Sequence, residues 1–386
     1  MLLTVASVAH DGDLDLTADY RRRAWREFHG GRLRPLAPVR EGRLLEPAGL
    51  LYVAVAAPVY RLGGRLAVQL LGAALLAAAF ATATTIARRL VPDPWATGAV
   101  VVAGLSPPAV LGATTIAPDA LAAALLAGAA ALALRVREDP KPVHATWAAV
   151  LVAAVPWAGV RFAAPAAVIA IAIARWLRRR RRGLAGFVSL EVVLFSVVTF
   201  LSVNERLYGG PTPYADVPPP APTGAEGVVA HLERAPRLLG LWLDRDVGLV
   251  RWAPFALLTL AALVLLARAH RGRLVAAVPE FVHVQVIAGF LAAACAAQVL
   301  VAAFLAPTLD RGWPPAHLLL CVAPLGAALA GWALRRLPRT GRLLAALTIA
   351  ATVWTLVAAR VDRDAVTAPP RGPMPWGGVE RVLPRF

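Results

Sequence analysis

Four aspartates fall within a short stretch near the start of the chain, Asp11, Asp13, Asp15 and Asp19 in DGDLDLTADY. Carboxylates so close together can hold a divalent cation through hard oxygen ligands. The calcium-loop pattern fails, because its glycine position is Leu16 and its closing glutamate position is Arg22. A turn that caps a short helix is the competing reading, since Asp is a favoured N-cap. A further aspartate, Asp119, follows Pro118 and opens an apolar run, so it reads either as a site carboxylate or as a cap. Glu191 sits inside LEVVLF, where a carboxylate is costly unless it is paired or faces water. Arg161, Arg251 and Arg311 lie at the ends of apolar blocks, where a guanidinium can grip a phosphate bidentately or snorkel to headgroups. His317, beside Trp313, Pro314 and Pro315, reads equally as a site residue or an interface anchor.

Other chemistries lack their residues. The sequence has no GxxxxGK[ST] phosphate loop, no HExxH, no GxSxG and no CxxC. Its seven histidines include no i, i+4 pair suited to zinc. Cys295 and Cys321 both fall in apolar blocks, which argues against a structural disulfide or a cysteine metal site. ATP-driven pumps and zinc membrane proteases are therefore not the leading readings.

The elements that must position these groups are membrane spans. Hydrophobic residues make up 59% of the 386, and charged residues 16%; soluble domains run at about 45–50% and about 25%. The apolar blocks are 64–87, 95–117, 119–134, 144–160, 161–177, 184–203, 248–267, 281–305, 314–334 and 342–359. They predict an all-α, polytopic bundle of about ten spans. Block 48–60 is too short to span and predicts a re-entrant or interfacial helix that does not cross. MLLTVASVAH lacks both a basic leader and a long apolar core, so it reads as neither signal peptide nor span.

The formal charge is +17, from 40 Lys and Arg against 23 Asp and Glu. In an apolar chain that balance records loop orientation rather than a nucleic-acid partner. Basic clusters follow alternate spans: Arg88 and Arg89; Arg135, Arg137 and Lys141; Arg178 to Arg182; Arg268, Arg271 and Arg273; Arg335, Arg336, Arg339 and Arg342. With all of them cytoplasmic, the turn at Asp119, the Trp157–Arg161 hairpin and loops 204–247 and 306–313 face outward. The expected organisation is an extracytoplasmic first loop (1–47), an N-terminal bundle (48–203), a Pro-rich outer loop (204–247), a C-terminal bundle (248–359) and a tail (360–386).

The order of motifs resembles bacterial GT-C-type glycosyltransferases, the multi-span group that includes protein mannosyltransferases and aminoarabinose transferases. HDGDLDLTADY resembles the first outer loop of an uncharacterised branch, and EGRLLEPAGLLYVAVAAPVYRLGG the stretch leading to its next helix. LSPPAVLGATTIAPDALAA resembles its helix–Pro-acid–helix hairpin, with the acidic residue, here Asp119, facing the outer cavity. VPWAGVRFAAPA, NERLYGGPTPYA, LDRDVGLVRWAP and LDRGWPPAHLLLCVAPL follow in the family's order. Two departures stand out. The family's first span and its DE-x-x-Y-like acidic motif would precede Leu2, the pattern of a shortened chain or an inactive relative. His317 stands where the branch tends to have Arg, which replaces a permanent cation by a titrating one.

The resemblance implies a GT-C-like fold and a multi-pass enzyme of the bacterial cytoplasmic membrane. It implies transfer of a sugar from a polyprenyl-phosphate donor to an acceptor hydroxyl on the outer face. Asp119, with Asp11 or Asp13, would then supply the carboxylate side of one outer cavity. Arg161 and Arg251, with Arg311 and His317 as further candidates, would hold the lipid phosphate. A divalent cation remains an open possibility. The competing classes are a transporter or lipid flippase, which would bury several ionisable groups at the midplane and show repeated halves, and an inactive scaffold that pairs with another membrane protein.

Overall fold

The computed structural model describes residues 1–215, 217, 231–271, 279–306, 316–362, 376 and 382–384. Among them there is no β-strand, only an isolated bridge between Arg40 and Arg43. The chain opens with two short helices, α1 (Leu2–His10) and α2 (Thr17–Arg22), before the long α3 (Leu50–Ala87). Then come α4 (Trp95–Gly104), α5 (Pro107–Thr114), α6 (Asp119–Glu138), α7 (Pro142–Ala158), α8 (Ala163–Arg179) and α9 (Gly183–Tyr208). The second half holds α10 (Arg237–Leu243), α11 (Leu249–Trp252), α12 (Leu257–Arg271), α13 (Pro279–Leu300), α14 (Ala323–Arg336) and α15 (Pro338–Val361).

A helix meets every predicted span, but not always as one crossing element. Among the described residues 7 helices are long and apolar enough to cross a membrane, or up to 8 if the bent pair α4–α5 is one span. Blocks 144–160 and 248–267 correspond to the shorter apolar helices Pro142–Ala158 and Pro254–Arg268. Proline accounts for two of the breaks. Pro107 and Pro108 lack the N–H that would continue α4, Ser106 is extended (φ −67, ψ 152), and the two halves meet at 55°. The hydroxyl of Thr352 donates to the carbonyl of Leu105 at 2.7 Å, satisfying an acceptor exposed by that break. Pro254 likewise separates α11 from α12.

Block 48–60 does not stand alone. It is the first part of α3, which a pair of glycines kinks: Gly63 (φ −153, ψ 21) and Gly64 (φ 59, ψ −152). Only glycine adopts that second conformation at little cost. MLLTVASVAH forms α1, which buries Leu3, Val5 and Ala9; Val5 and Ala9 pack with Tyr52, Ala56 and Tyr60 of α3.

Alanines let the central helices approach closely. Ala122, Ala123, Ala127, Ala129, Ala130 and Ala133 of α6 are fully buried, and α14 is buried along nearly all its length. The peripheral helices turn large apolar side chains outward: Leu190, Leu194 and Phe195 of α9, and Leu343, Val353 and Leu356 of α15. That is the surface of a chain solvated by lipid, and the protein is a multi-pass membrane protein by architecture.

The two ends of the bundle differ in charge. Arg89, just past α3, pairs with Glu138 at the foot of α6 at 2.9 Å. Arg137 bonds His283 of α13 at 2.9 Å, and Arg180 donates to the Arg137 carbonyl at 3.5 Å. Gly331 of α14 lies against Val91 and Trp95, bringing Arg335 and Arg336 toward the same rim. Clusters separated by hundreds of residues therefore share one end. Asp119 begins α6 and Glu138 ends it, so the opposite end lies about 30 Å away.

Candidate functional site

At that opposite end Pro118 and Gly159 set the geometry. Pro118 precedes the first turn of α6 and places Asp119 at the positive end of the helix dipole. Gly159 ends α7 and leads into a single 3₁₀ turn, Val160–Phe162, that carries Arg161 to the start of α8. The two corners meet. Arg161 Nη2 donates to Asp119 Oδ2 at 2.6 Å, and the guanidinium lies 4.8 Å from the centre of the Phe162 ring. The aspartate side chain is 5% exposed and that of the arginine 33%. The other carboxylate oxygen, Asp119 Oδ1, is buried and has no hydrogen-bond partner. Tyr52 of α3 and Cys321 lie within electrostatic range of Asp119.

A close approach of backbone fixes this corner. A Cβ built on Gly49 overlaps the carbonyl oxygen of Ala158, so only glycine lets the lead-in to α3 lie against the end of α7. Beside it is a cavity of about 90 Å³, whose wall includes Gly49, Trp157, Arg161, Asn204 and Tyr214. A second cavity, of about 320 Å³, is lined almost wholly by apolar groups from α4, α5, α12, α13, α14 and the 3₁₀ turns Pro254–Ala256 and His317–Val322, among them Ala103, Pro108, Phe255, Leu260 and Leu320. A 3₁₀ helix, His317–Val322, separates the two regions: Leu319 and Leu320 line the large cavity, while Cys321 lies in the field of Asp119 and Arg161.

The remaining candidates divide by place. Asp11 forms an exposed ion pair with Arg22 at 3.2 Å. Asp13 accepts from the Ser7 hydroxyl at 3.3 Å and from the backbone N–H of Asp15 at 3.1 Å. Both thus bond within the N-terminal segment, while Asp119 and Arg161 bond each other. Arg251 is buried, and its Nη1 donates to the carbonyl of Arg245. His317 opens the 3₁₀ helix between the cavities. Arg311 lies outside the described residues, as do most of the Pro-rich run 211–224 and most of the tail 360–386. Glu191 is exposed on α9 among outward-facing Leu190, Leu194 and Phe195.

The acidic cluster builds a scaffold. Asp15 Oδ1 accepts from the Thr17 N–H at 3.0 Å, the Thr17 hydroxyl at 2.6 Å and the Leu44 N–H at 2.9 Å. One carboxylate thereby pins the returning chain at Leu44 to the start of α2; it makes the turn that the sequence suggested, but from one residue ahead of the N-cap position, which is Leu16. Desolvation acts to raise the Asp15 carboxyl, but the bonds from Thr17 and Leu44 outweigh it and hold the group below its ordinary value. Asp19 is shifted the other way: burial, with Asp11 and Asp13 nearby, lifts its carboxyl above the ordinary range. Glu46 escaped the sequence reading. It is buried and accepts a short hydrogen bond from the Tyr20 hydroxyl, whose pKa is pushed up by burial and by that carboxylate. Its only sequence signal is an acid between Leu45 and Pro47 just ahead of an apolar helix.

Family models, curated proteins and solved structures were compared with the chain, and none matches it.

Proposed function

We propose that this protein is a membrane glycosyltransferase of the GT-C type, which transfers a sugar from a polyprenyl-phosphate donor to an acceptor hydroxyl on the outer face of the bacterial cytoplasmic membrane. One observation carries the reading. An Asp119–Arg161 pair, its carboxylate buried with one oxygen unpartnered and its guanidinium partly exposed, stands at the end of the bundle opposite the arginine rim, one short helix away from a large apolar cavity. The arginine rim supports a cytoplasmic orientation for the far end, which leaves the pair facing out.

The transfer needs three things, and the residues at this end suit each. The acceptor oxygen attacks the anomeric carbon, the bond from that carbon to the phosphate oxygen breaks, and the hydroxyl proton goes to a carboxylate. Asp119 Oδ1 has an open lone pair for that proton. The departing polyprenyl phosphate gathers charge, and Arg161, fixed by Asp119 through one N–H, keeps its other donors for those oxygens. A hydrocarbon chain suits the 320 Å³ apolar cavity. Asp11 and Asp13 bond within the N-terminal segment, so the proposed proton transfer is assigned to Asp119. The transporter reading gains nothing from Glu191, which faces outward and not toward an internal path.

The test is release of polyprenyl phosphate from polyprenyl-phosphate-linked hexoses and pentoses by the protein in proteoliposomes. Expected is sugar-dependent release by the wild type and its loss in Asp119→Asn and Arg161→Met. A wild type that releases nothing from any of these donors, or an Asp119→Asn variant of full activity, overturns the proposal.

A further inference from the structure

A residue in the wall of the small cavity beside Arg161 carries a second unsatisfied acceptor. Asn204, in the last turns of α9, is 1% exposed. Its Nδ2 donates to the Phe200 carbonyl at 2.7 Å, which turns Oδ1 the other way, and that oxygen is buried without a partner. A buried amide oxygen left in this state costs roughly 1–3 kcal/mol, so such groups normally have a donor. The walls on either side are aromatic. Trp157 and Phe200 meet edge to face at 5.4 Å between ring centres, and Tyr214, 55% exposed, stands at the cavity wall. The indole N–H of Trp157 is already given to Ser196 at 2.9 Å, so that ring offers the cavity only its apolar surface.

We infer that this cavity is a sugar subsite in which Asn204 Oδ1 accepts a hydrogen bond from one hydroxyl of the donor's sugar. An acceptor, aromatic walls for C–H edges and a guanidinium at the rim together match a hydroxylated ring joined to a phosphate. The space of about 90 Å³ admits one edge of such a ring. The inference rests on the glycosyltransferase reading and deepens it: Asn204 selects which sugar is bound, whereas Asp119 and Arg161 act on whatever sugar is there.

Binding of two probes by the full chain in nanodiscs tests it: farnesyl phosphate, and farnesyl-phosphate hexoses with their monodeoxy analogues. Expected is tighter binding of the sugar-bearing probe, with one deoxy position weakening it about tenfold, the loss of one net hydrogen bond. Asn204→Leu should erase both that preference and the deoxy effect, with farnesyl phosphate binding unchanged. Tyr214→Ala, at an exposed position that the fold tolerates, should lower affinity only for the sugar-bearing probe and serves if Asn204→Leu fails to fold. Equal affinity for the two probes, or an Asn204→Leu variant that still discriminates deoxy analogues, overturns the subsite and leaves the transfer reading standing. Failure of the wild type to bind either probe overturns both.

Discussion

Breaking the Asp119–Arg161 pair from either side should give unequal costs, because the partners differ in exposure. Charges about 4 Å apart attract by about 4 kcal/mol at an effective dielectric near 20. Removing one partner of a buried pair costs about 3–5 kcal/mol, mostly as the penalty of the charge left behind. In Arg161→Met that charge is a carboxylate 5% exposed, so the full range applies. In Asp119→Asn it is a guanidinium 33% exposed and stacked on Phe162, free to turn toward water, so the cost should fall to about 1–2 kcal/mol. Replacing both groups at once, as Asp119→Asn with Arg161→Met, leaves no orphaned charge and should cost no more than about 1–2 kcal/mol. The double-mutant cycle then gives a coupling of about 3–5 kcal/mol. Reversible unfolding in mixed detergent and SDS micelles, followed by helical circular dichroism, measures all four corners. Additive single mutants, or an Asp119→Asn variant less stable than Arg161→Met, would refute the buried, asymmetric pair.

Three other outcomes follow from the packing. Gly49→Ala should push the α7–α8 corner away from the start of α3, destabilising the protein by about 1–3 kcal/mol and lowering transfer in the proteoliposome assay even though residue 49 carries no chemistry. Thr352→Val should leave the Leu105 carbonyl without its 2.7 Å donor and cost about 1–3 kcal/mol in the same unfolding assay; a neutral result would show that the α4–α5 break is satisfied in another way. The N-terminal segment should respond to pH with two opposite signs. Asp15, held below its ordinary value, contributes stability above the unfolded pKa that is lost as pH falls through the lower folded value. Asp19, held above its ordinary value, contributes stability that is fully present below the unfolded pKa and is lost as pH rises through the folded one. The protection of the Leu44 amide against hydrogen exchange, relative to its intrinsic rate at each pH, should therefore fall at low pH, and in Asp15→Asn that low-pH fall should shrink because the titrating group is gone.

How much of this was legible in the sequence depends on how far each feature reaches along the chain. The apolar blocks were readable as helices because apolar content is a local property, but their number as spans was not. Among the described residues 7 helices are long and apolar enough to cross, block 95–117 is the bent pair α4–α5, and blocks 144–160 and 248–267 fall on shorter helices. The arginine alternation foretold the shared rim at Arg89, Arg137 and Arg180. The breaks were half readable. Pro107 and Pro108 were visible, but whether a proline pair is absorbed or bends a helix by 55° depends on partners such as Thr352, 247 residues away from Leu105. Asp119 and Arg161 each stood out alone, as an acid after a proline and a guanidinium after a glycine. Their bond is tertiary, fixed by the packing of α6, α7 and α8, and no local pattern announces it. Glu46 was invisible for the same reason, since Tyr20 and the folding of the first loop bury it.

Asn204 shows where the two kinds of information meet. In NERLYGG it reads as a polar residue at the outer end of a span, one of many that cap or snorkel there. Only the fold shows that its amide is committed on one side to Phe200 and left open on the other, inside a cavity that Arg161 also lines. The same holds for Asp119, bonded through Oδ2 and open at Oδ1. Burying two open acceptors at one end of a bundle is costly in a membrane protein, where the apolar solvent offers no replacement donor. The two open acceptors, with a guanidinium that is one-third exposed at the same end, are the features on which the proposed sugar-phosphate ligand rests.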